Sequence, residues 1–508
     1  MLLHRQIIPR HSLLLRIRSL HSSTRADIAP SPRVSAANTK DEGTIADAFA
    51  SLAGAADVVL PERFAELKRT IVPNEAAARR VTAAWAEVLG ELRTAEKEIL
   101  DRGSDIVPQV NYADLSSLSG EEIEVVKKRG TVVIRNVVNE DLALGWKEDI
   151  KRYIQKNPQV RGFPADNKQV FEIYWSKSQI EARSHPHVLS TQTWLSSLWQ
   201  VNPDTIPEPN PLISLSTPLS YVDRLRIRLP GDAKFALGPH IDGGSLERWE
   251  DEGYRRCYKN ILEGRWREHD AFDIGARLYA NSDLYNGSSQ CGVFRSFQGW
   301  LSLSNTGPNE GTLRVYPNLL LSSAYVLLRP FFKAVKPLDS ANSREDYLEA
   351  SNWTLDLAST EFPNSVMGRG QELNEITHPH LRLENTMVSV PRVKPGDMVF
   401  WHCDGVHAVE SVHRGEGDSS VLYIPAAPLT EKNMDYTARL AHAFLSGSPP
   451  EDFPGGKGEA EFVDRGNPAN FLTVEGARAM ALKEFEEWPG MNASDKRAIE
   501  HANRLIRG

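Results

Sequence analysis

Between residues 224 and 426 the chain is cut into seven short runs rich in β-branched and aromatic residues, each bounded by Gly, Pro or Asn. The runs are RLRIRLP (224–230), KFALGPHID (234–242), GWLSLSN (299–305), GTLRVYP (311–317), MVSVP (387–391), DMVFWHC (397–403) and SSVLYIPA (419–426). Runs of this length, broken by turn residues, cannot pair as one long ribbon. They predict a β-sandwich or a barrel of jelly-roll type.

The segments around these strands predict helices. EAAARRVTAAWAEVLGELRTAEKEIL (75–100) places Val81, Trp85, Val88 and Leu92 on one side of a helix lying across the core. In 118–155, Ser119 with Glu121 and Glu122 starts a helix, Gly130 ends it, and TVVIRNVV follows as a strand. Asn139 then caps a second helix carrying Leu142, Leu144, Trp146 and Ile150. The expected organisation is a linker and helical segment over 27–117, a jelly-roll core over 118–430, and a helical extension over 431–508. The core carries insertions at 243–290 and 318–385, and the extension includes TARLAHAFL and EGARAMALKEFEEW.

Residues 1–26 contain Arg5, Arg10, Arg16, Arg18 and Arg25, several serines and no acid; Asp27 is the first carboxylate. An Arg-rich, acid-free, amphipathic start is the pattern of a mitochondrial presequence, so the expected location is the matrix, with the cytoplasm as the alternative. No stretch approaches the ~20 apolar residues of a membrane span. A net charge of −8 argues against nucleic acid as a partner. Cys257, Cys291 and Cys403 are too few and scattered for a disulfide framework and are expected to be reduced thiols. The charge does not identify a substrate; the expected partners, a small-molecule substrate and O2, follow from the metal-ligand pattern at His240 and Asp242.

The chemistry is carried by His240-Ile241-Asp242. On a strand the side chains of residues i and i+2 share a face, so one imidazole and one carboxylate point the same way. A second imidazole from a remote strand would complete the two-histidine, one-carboxylate face of a non-haem iron(II) oxygenase, leaving the opposite metal face open. PGDMVFWHCDGVHAVE offers two histidines for that place, His402 and His407.

Several of these segments resemble phytanoyl-CoA-dioxygenase-like proteins: the helix–strand–helix at 118–155, H-x-D, the hairpin GWLSLSNTGPNEGTLRVYPN, and a Gly-Asp turn followed by an apolar strand and a histidine. The finer resemblance, over most of the chain beyond the presequence, is to the family called domain of unknown function 1479. Its HIDGG-type and HxxxxH segments look like those here. The resemblance implies a double-stranded β-helix, a cupin-like jelly-roll barrel flanked by N- and C-terminal helices. It also implies an Fe(II)- and 2-oxoglutarate-dependent oxygenase that hydroxylates a small molecule with release of succinate and CO2. It selects His407, ten residues after Asp397, as the third ligand beside His240 and Asp242.

One feature departs from that pattern. The last barrel strand, SSVLYIP, lacks the arginine that such proteins use to grip the distal carboxylate of 2-oxoglutarate. Arg414 in the turn HRGEGD and Arg314 in GTLRVYP are the leading substitutes, with Arg226 and Arg228 as further candidates. Without such an arginine the competing expectations are a cupin-like metalloenzyme that does not use 2-oxoglutarate, or an inactive ligand-binding barrel. Asp404 and Glu410 are candidates to orient the His407 ring. Glu247, Arg248 and Trp249 are candidates for the substrate entrance. His185/His187 and His378/His380 have a metal-compatible i, i+2 spacing without a matching carboxylate.

Overall fold

The computed structural model describes residues 40–52, 59–206, 210–234, 236–288 and 290–508. The presequence expected over 1–26 lies outside the described residues. Two antiparallel-rich sheets organise the rest, and neither closes on itself among the described residues.

The larger sheet has eight strands in the order Gln109–Asn111, Thr131–Arg135, Met398–His402, Phe297–Ser302, Ser419–Tyr423, Leu225–Arg228, Val170–Phe171 and Gly162–Phe163. Its first pair is parallel and the others antiparallel. The smaller sheet has five, in the order Gln371–Glu372, His240–Ile241, His407–Val409, Leu313–Val315 and Val388–Ser389. The Trp401 ring of the large sheet lies 4.9 Å from the His407 ring of the small one, so the inner faces meet around these residues.

Local chemistry explains how the site-bearing strands are set. Asp397 accepts from the backbone N–H of Asn136 (2.9 Å) and Lys394 (3.0 Å) and from Arg135 (2.7 Å). Gly396 before it has φ 91°, and a Cβ there would lie 2.1 Å from the Val138 carbonyl oxygen. Only glycine fits that turn, which feeds Met398–His402 into the sheet centre.

The long helix Glu75–Arg102 is capped by Asn74, whose side chain accepts from the Ala77 N–H. Val81, Trp85, Val88 and Leu92 are all buried, and Trp85 stacks on Phe332 at 4.5 Å. Ser119 and Glu122 form a reciprocal capping box, and Gly130 ends their helix in the left-handed region. In Glu140–Lys156 the buried face is Ala143, Trp146, Ile150 and Tyr153, while Leu142 and Leu144 are exposed.

Four expectations are corrected by the structure. The segment 27–117 is not only linker and helix, since Gln109–Asn111 enters the large sheet. The insertion 318–385 supplies both a hairpin, Phe332–Ala334 with Trp353–Leu355, and the edge strand Gln371–Glu372 beside His240–Ile241. Among the described residues of KFALGPHID only His240–Ile241 form a strand, because Gly238-Pro239 interrupts the run. EGARAMALKEFEEW is helical only over Val474–Ala479, and the chain turns at Ala481 with φ 55°. Among the described residues no helix is long and apolar enough to cross a membrane.

Candidate metal centre

His240 and His407 are register partners on adjacent antiparallel strands, and their ring centroids are 4.1 Å apart. Asp242 stands where the strand gives way to a turn. Its carboxylate lies 3.6 Å from His240 Nε2 through one oxygen and 3.7 Å from His407 Nε2 through the other. The ligand atoms of all three lie within 4.8 Å of one another.

The ring nitrogens have defined roles. His240 Nδ1 lies 2.7 Å from the Gly238 carbonyl and His407 Nδ1 lies 3.0 Å from that of Gly405. A carbonyl oxygen only accepts, so each Nδ1 carries a proton and each Nε2 is the nitrogen turned toward the carboxylate. Both Nε2 atoms face the carboxylate at distances beyond a hydrogen bond. That arrangement fits a divalent cation bound by two imidazoles and one carboxylate. Burial and the neighbouring His240 push His407 down to about 3, which keeps it neutral. Burial pushes the Asp242 carboxyl up, but His407, His240, Arg295 and Arg248 outweigh it and leave it below its ordinary value.

The turn after Asp242 is fixed by the residues from Gly243 to Trp249. Gly243 and Gly244 both have positive φ (79° and 82°), and a Cβ on Gly244 would meet the Ser282 carbonyl oxygen at 2.5 Å. Buried Arg248 donates to the carbonyls of Asp242 (2.7 Å) and Gly244 (2.5 Å). Glu247 accepts from the Ser245 N–H at 2.7 Å, and the Trp249 indole donates to the Leu327 carbonyl. Glu247, Arg248 and Trp249 thus brace the turn and do not line the cavity.

A cavity of about 150 Å³ opens over the triad, between the two sheets. Its walls include Trp300, Trp401, Leu313, Val409, Val421 and Tyr423. Its roof is a segment that composition alone marked as linker: Ile45, Ala48 and Phe49 line it, with the Phe49 ring 4.8 Å from His240. That segment is held by the bond from Gly370 N–H to the Ala48 carbonyl (2.7 Å) and by Lys40 on Asp283 (2.6 Å).

Of the four arginines considered from sequence, only Arg226 lines this cavity. Its register partner is Val421 on the last strand, and it bonds the Tyr423 hydroxyl. Arg314 alternates with the inward Leu313 and Val315, so it points outward and donates to the Met387 carbonyl at 2.6 Å. Arg414 is exposed in its turn. Arg228 is buried on Asp232 (2.8 Å) and the Ser411 carbonyl (2.9 Å). Arg224 and Arg295 also line the cavity, and sequence reasoning missed both.

His402 sits apart from the triad. Trp401 faces the cavity, so His402 faces the opposite side, stacked on Trp199 at 4.8 Å. Its Nε2 donates to the Ala271 carbonyl (3.0 Å) and its Nδ1 accepts from the Asp404 N–H (3.1 Å). Asp404 is bound to Arg277 and Tyr258, and Glu410 accepts from the N–H groups of Asn309 and Gly311. Neither acid touches the His407 ring, which the Gly405 carbonyl orients instead. His187 bonds the Val137 carbonyl and His380 the Tyr325 hydroxyl, and neither i, i+2 pair joins a potential ligand cluster among the described residues. The three cysteines are free, and burial pushes Cys257 and Cys403 up to about 12 and Cys291 up to about 11.

Comparison with known proteins places this geometry in context. Residues 58–482 match the family described as Gig2-like. The crystal structure of GlcNAc Inducible Gene 2, GIG2 (DUF1479), from Candida albicans is 34% identical. It superposes with a TM-score of 0.78 over 89% of this chain and 96% of that one. The uncharacterised protein YbiU of Escherichia coli (strain K12) is 33% identical over 404 residues, 77% of this chain and 89% of YbiU. The structure of the hypothetical protein JW0805 from Escherichia coli is 29% identical with a TM-score of 0.69, covering 84% of this chain and 99% of that one.

Proposed function

This chain belongs to the Gig2-like family, and from that premise we propose that it is an Fe(II)- and 2-oxoglutarate-dependent oxygenase acting on a small organic molecule. The observation that carries this reading is the convergence of the Nε2 atoms of His240 and His407 on the Asp242 carboxylate, with each Nδ1 held by a backbone carbonyl. We take the two facing sheets as an open form of the double-stranded β-helix, with the triad at one end of the space between them.

When bound, an iron(II) ion in such a donor set supplies the redox chemistry that couples 2-oxoglutarate and O2 to substrate oxidation, with succinate and CO2 released. The protein's part follows from its own residues. His240, Asp242 and His407 would hold the ion from one side, leaving the cavity side for other ligands. Arg226 stands across from Val421, so the last strand needs no arginine of its own; its neighbour supplies a guanidinium to the same wall. That group suits a bidentate grip on the distal carboxylate of 2-oxoglutarate. Trp300, Trp401, Leu313 and the roof residue Phe49 keep bulk water from the reacting centre. The arginine-rich start supports delivery to the mitochondrial matrix, which fractionation and N-terminal sequencing of the mature chain would test.

The decisive assay is O2 uptake by the Fe(II)-loaded protein with and without 2-oxoglutarate. Uptake that requires 2-oxoglutarate and yields succinate is expected. Uptake independent of it would replace this reading with a cupin-like metalloenzyme, and no uptake with any substrate would leave a binding barrel.

A further inference from the structure

Arg295 differs from every other arginine near the triad in having nothing to hold. It lies just before the strand Phe297–Ser302, with its guanidinium 5.1 Å from the centre of the Tyr221 ring. Among the described residues it forms no hydrogen bond or ion pair. Its neighbours are all committed: Arg224 to Asp223 at 3.0 Å, Arg277 to Asp404, and Arg248 to backbone carbonyls. A guanidinium turned into a cavity with only an aromatic face beside it lacks a counter-charge, so such a group marks a place for an anion.

Its position says which anion. A second cavity of about 50 Å³ adjoins the first, and both are lined by Asp242, Gly243, Cys291, Arg295 and Gln298. Arg295 and Gln298 thus stand on the shared wall beside the metal-binding carboxylate. Arg226 stands elsewhere in the first cavity, near Tyr423 and Arg228, and does not line the second. The Gln298 amide also has no hydrogen-bond partner among the described residues, which leaves it available to a ligand.

Charge counting agrees. The larger cavity is lined by three guanidinium groups (Arg224, Arg226, Arg295) and two carboxylates (Asp223, Asp242), a formal excess of one positive charge. A divalent metal adds two and a 2-oxoglutarate dianion removes two, so one positive charge remains. Asp242 is then committed to the metal and Asp223 to Arg224. The uncompensated cation is Arg295.

We infer that Arg295, assisted by Gln298, binds an anionic group of the primary substrate, so that the substrate is a small carboxylate or phosphate ester held at the junction of the two cavities. This rests on the oxygenase reading above. A guanidinium offers paired N–H donors to either anion, and the Gln298 amide adds a further donor. The arrangement separates two anion sites: one for the co-substrate at Arg226, and one for the substrate at Arg295.

The test uses the full chain, loaded with Mn(II) and 2-oxoglutarate so that no turnover occurs, and titrated with acetate and with methyl phosphate as probes. The same titration is run without metal. Binding is read as the shift in thermal unfolding and as a dissociation constant by calorimetry. The wild type is expected to bind at least one probe. Arg295→Gln is expected to weaken that probe about tenfold or more while Mn(II) stoichiometry is kept and 2-oxoglutarate affinity stays within about threefold. Arg295→Lys should recover part of the loss, and Gln298→Leu should weaken the probe less than Arg295→Gln does. If Arg295→Gln does not fold, the Lys and Leu variants carry the same comparison. Preference for acetate would identify a carboxylate substrate, and preference for methyl phosphate a phosphate ester. The inference is overturned if neither probe binds the wild type, if Arg295→Gln binds the probe as well as the wild type, or if its main effect is on 2-oxoglutarate. Failure of the oxygenase reading would instead show as a wild type that binds no Mn(II), while the metal-free titration still reports on the anion site.

Discussion

Two clusters among the described residues hold metal-type donor atoms in close array: His240, Asp242 and His407 on one side of the site-bearing strands, and His402, Cys403 and Asp404 on the other. In residue types alone the two are equally capable of holding an ion. The difference lies in what the remaining atoms do. In the triad each imidazole spends only Nδ1, on a backbone carbonyl, and Nε2 stays open toward the carboxylate. In the other cluster both nitrogens of His402 are used, and Asp404 is consumed by Arg277 and Tyr258. The Cys403 thiol is pushed up to about 12 by burial, far from the thiolate that a metal would need. A metal site is therefore defined by unspent lone pairs rather than by residue types, and the closed cluster acts as a packing and ion-pair anchor.

Substitutions on each side should have effects of different kind. The largest effect belongs to Asp242→Ala, which should abolish metal binding and 2-oxoglutarate-dependent O2 uptake while the fold persists; succinate production at the wild-type rate by that variant would break the distinction. Next comes Asp404→Ala. It leaves Arg277 buried without its counter-charge, so denaturant unfolding should show a loss of about 3–5 kcal/mol, with metal stoichiometry unchanged in the folded fraction.

Glu247, which braces the turn beside the triad, sharpens the contrast through pH. Burial raises its carboxyl to about 7, and one of its oxygens has no partner among the described residues. The folded state then holds a proton that the unfolded chain releases near pH ~4.3. Its contribution is greatest below that pH and is lost as pH rises toward 7, by roughly 3–4 kcal/mol in total. In Glu247→Gln this part of the pH dependence should vanish, which unfolding of the metal-free protein between about pH 4.5 and 7.5 would detect. A smaller effect is expected from Arg226→Gln. A lost charged hydrogen bond is worth about 1.5–3 kcal/mol, so 2-oxoglutarate affinity should fall about tenfold to a hundredfold with metal binding retained.

Parts of this contrast are legible in the sequence. The i, i+2 spacing of His240 and Asp242 and the capping signals at Ser119 and Asn139 are local, and each appears where the pattern implied. Alternation along a strand applies beyond His240 and Asp242. It sets His402 opposite the inward Trp401, and Arg314 opposite the inward Leu313. The rest was not local. Arg295 lies in a stretch without period, and its isolation depends on where Tyr221 and Asp242 arrive from distant parts of the chain. The roof formed by Ile45, Ala48 and Phe49 was hidden for the same reason. Its few apolar residues sit in an Ala- and Ser-rich segment, and only long-range bonds such as Gly370 N–H to the Ala48 carbonyl give it a place.

The most direct test is metal stoichiometry, measured by equilibrium dialysis against Fe(II) under anaerobic conditions for the wild type, Asp242→Ala and Cys403→Ser. The expected result is one ion per chain for the wild type and for Cys403→Ser, and none for Asp242→Ala. Metal retained in Asp242→Ala, or lost in Cys403→Ser, would contradict the assignment of the open cluster as the metal centre.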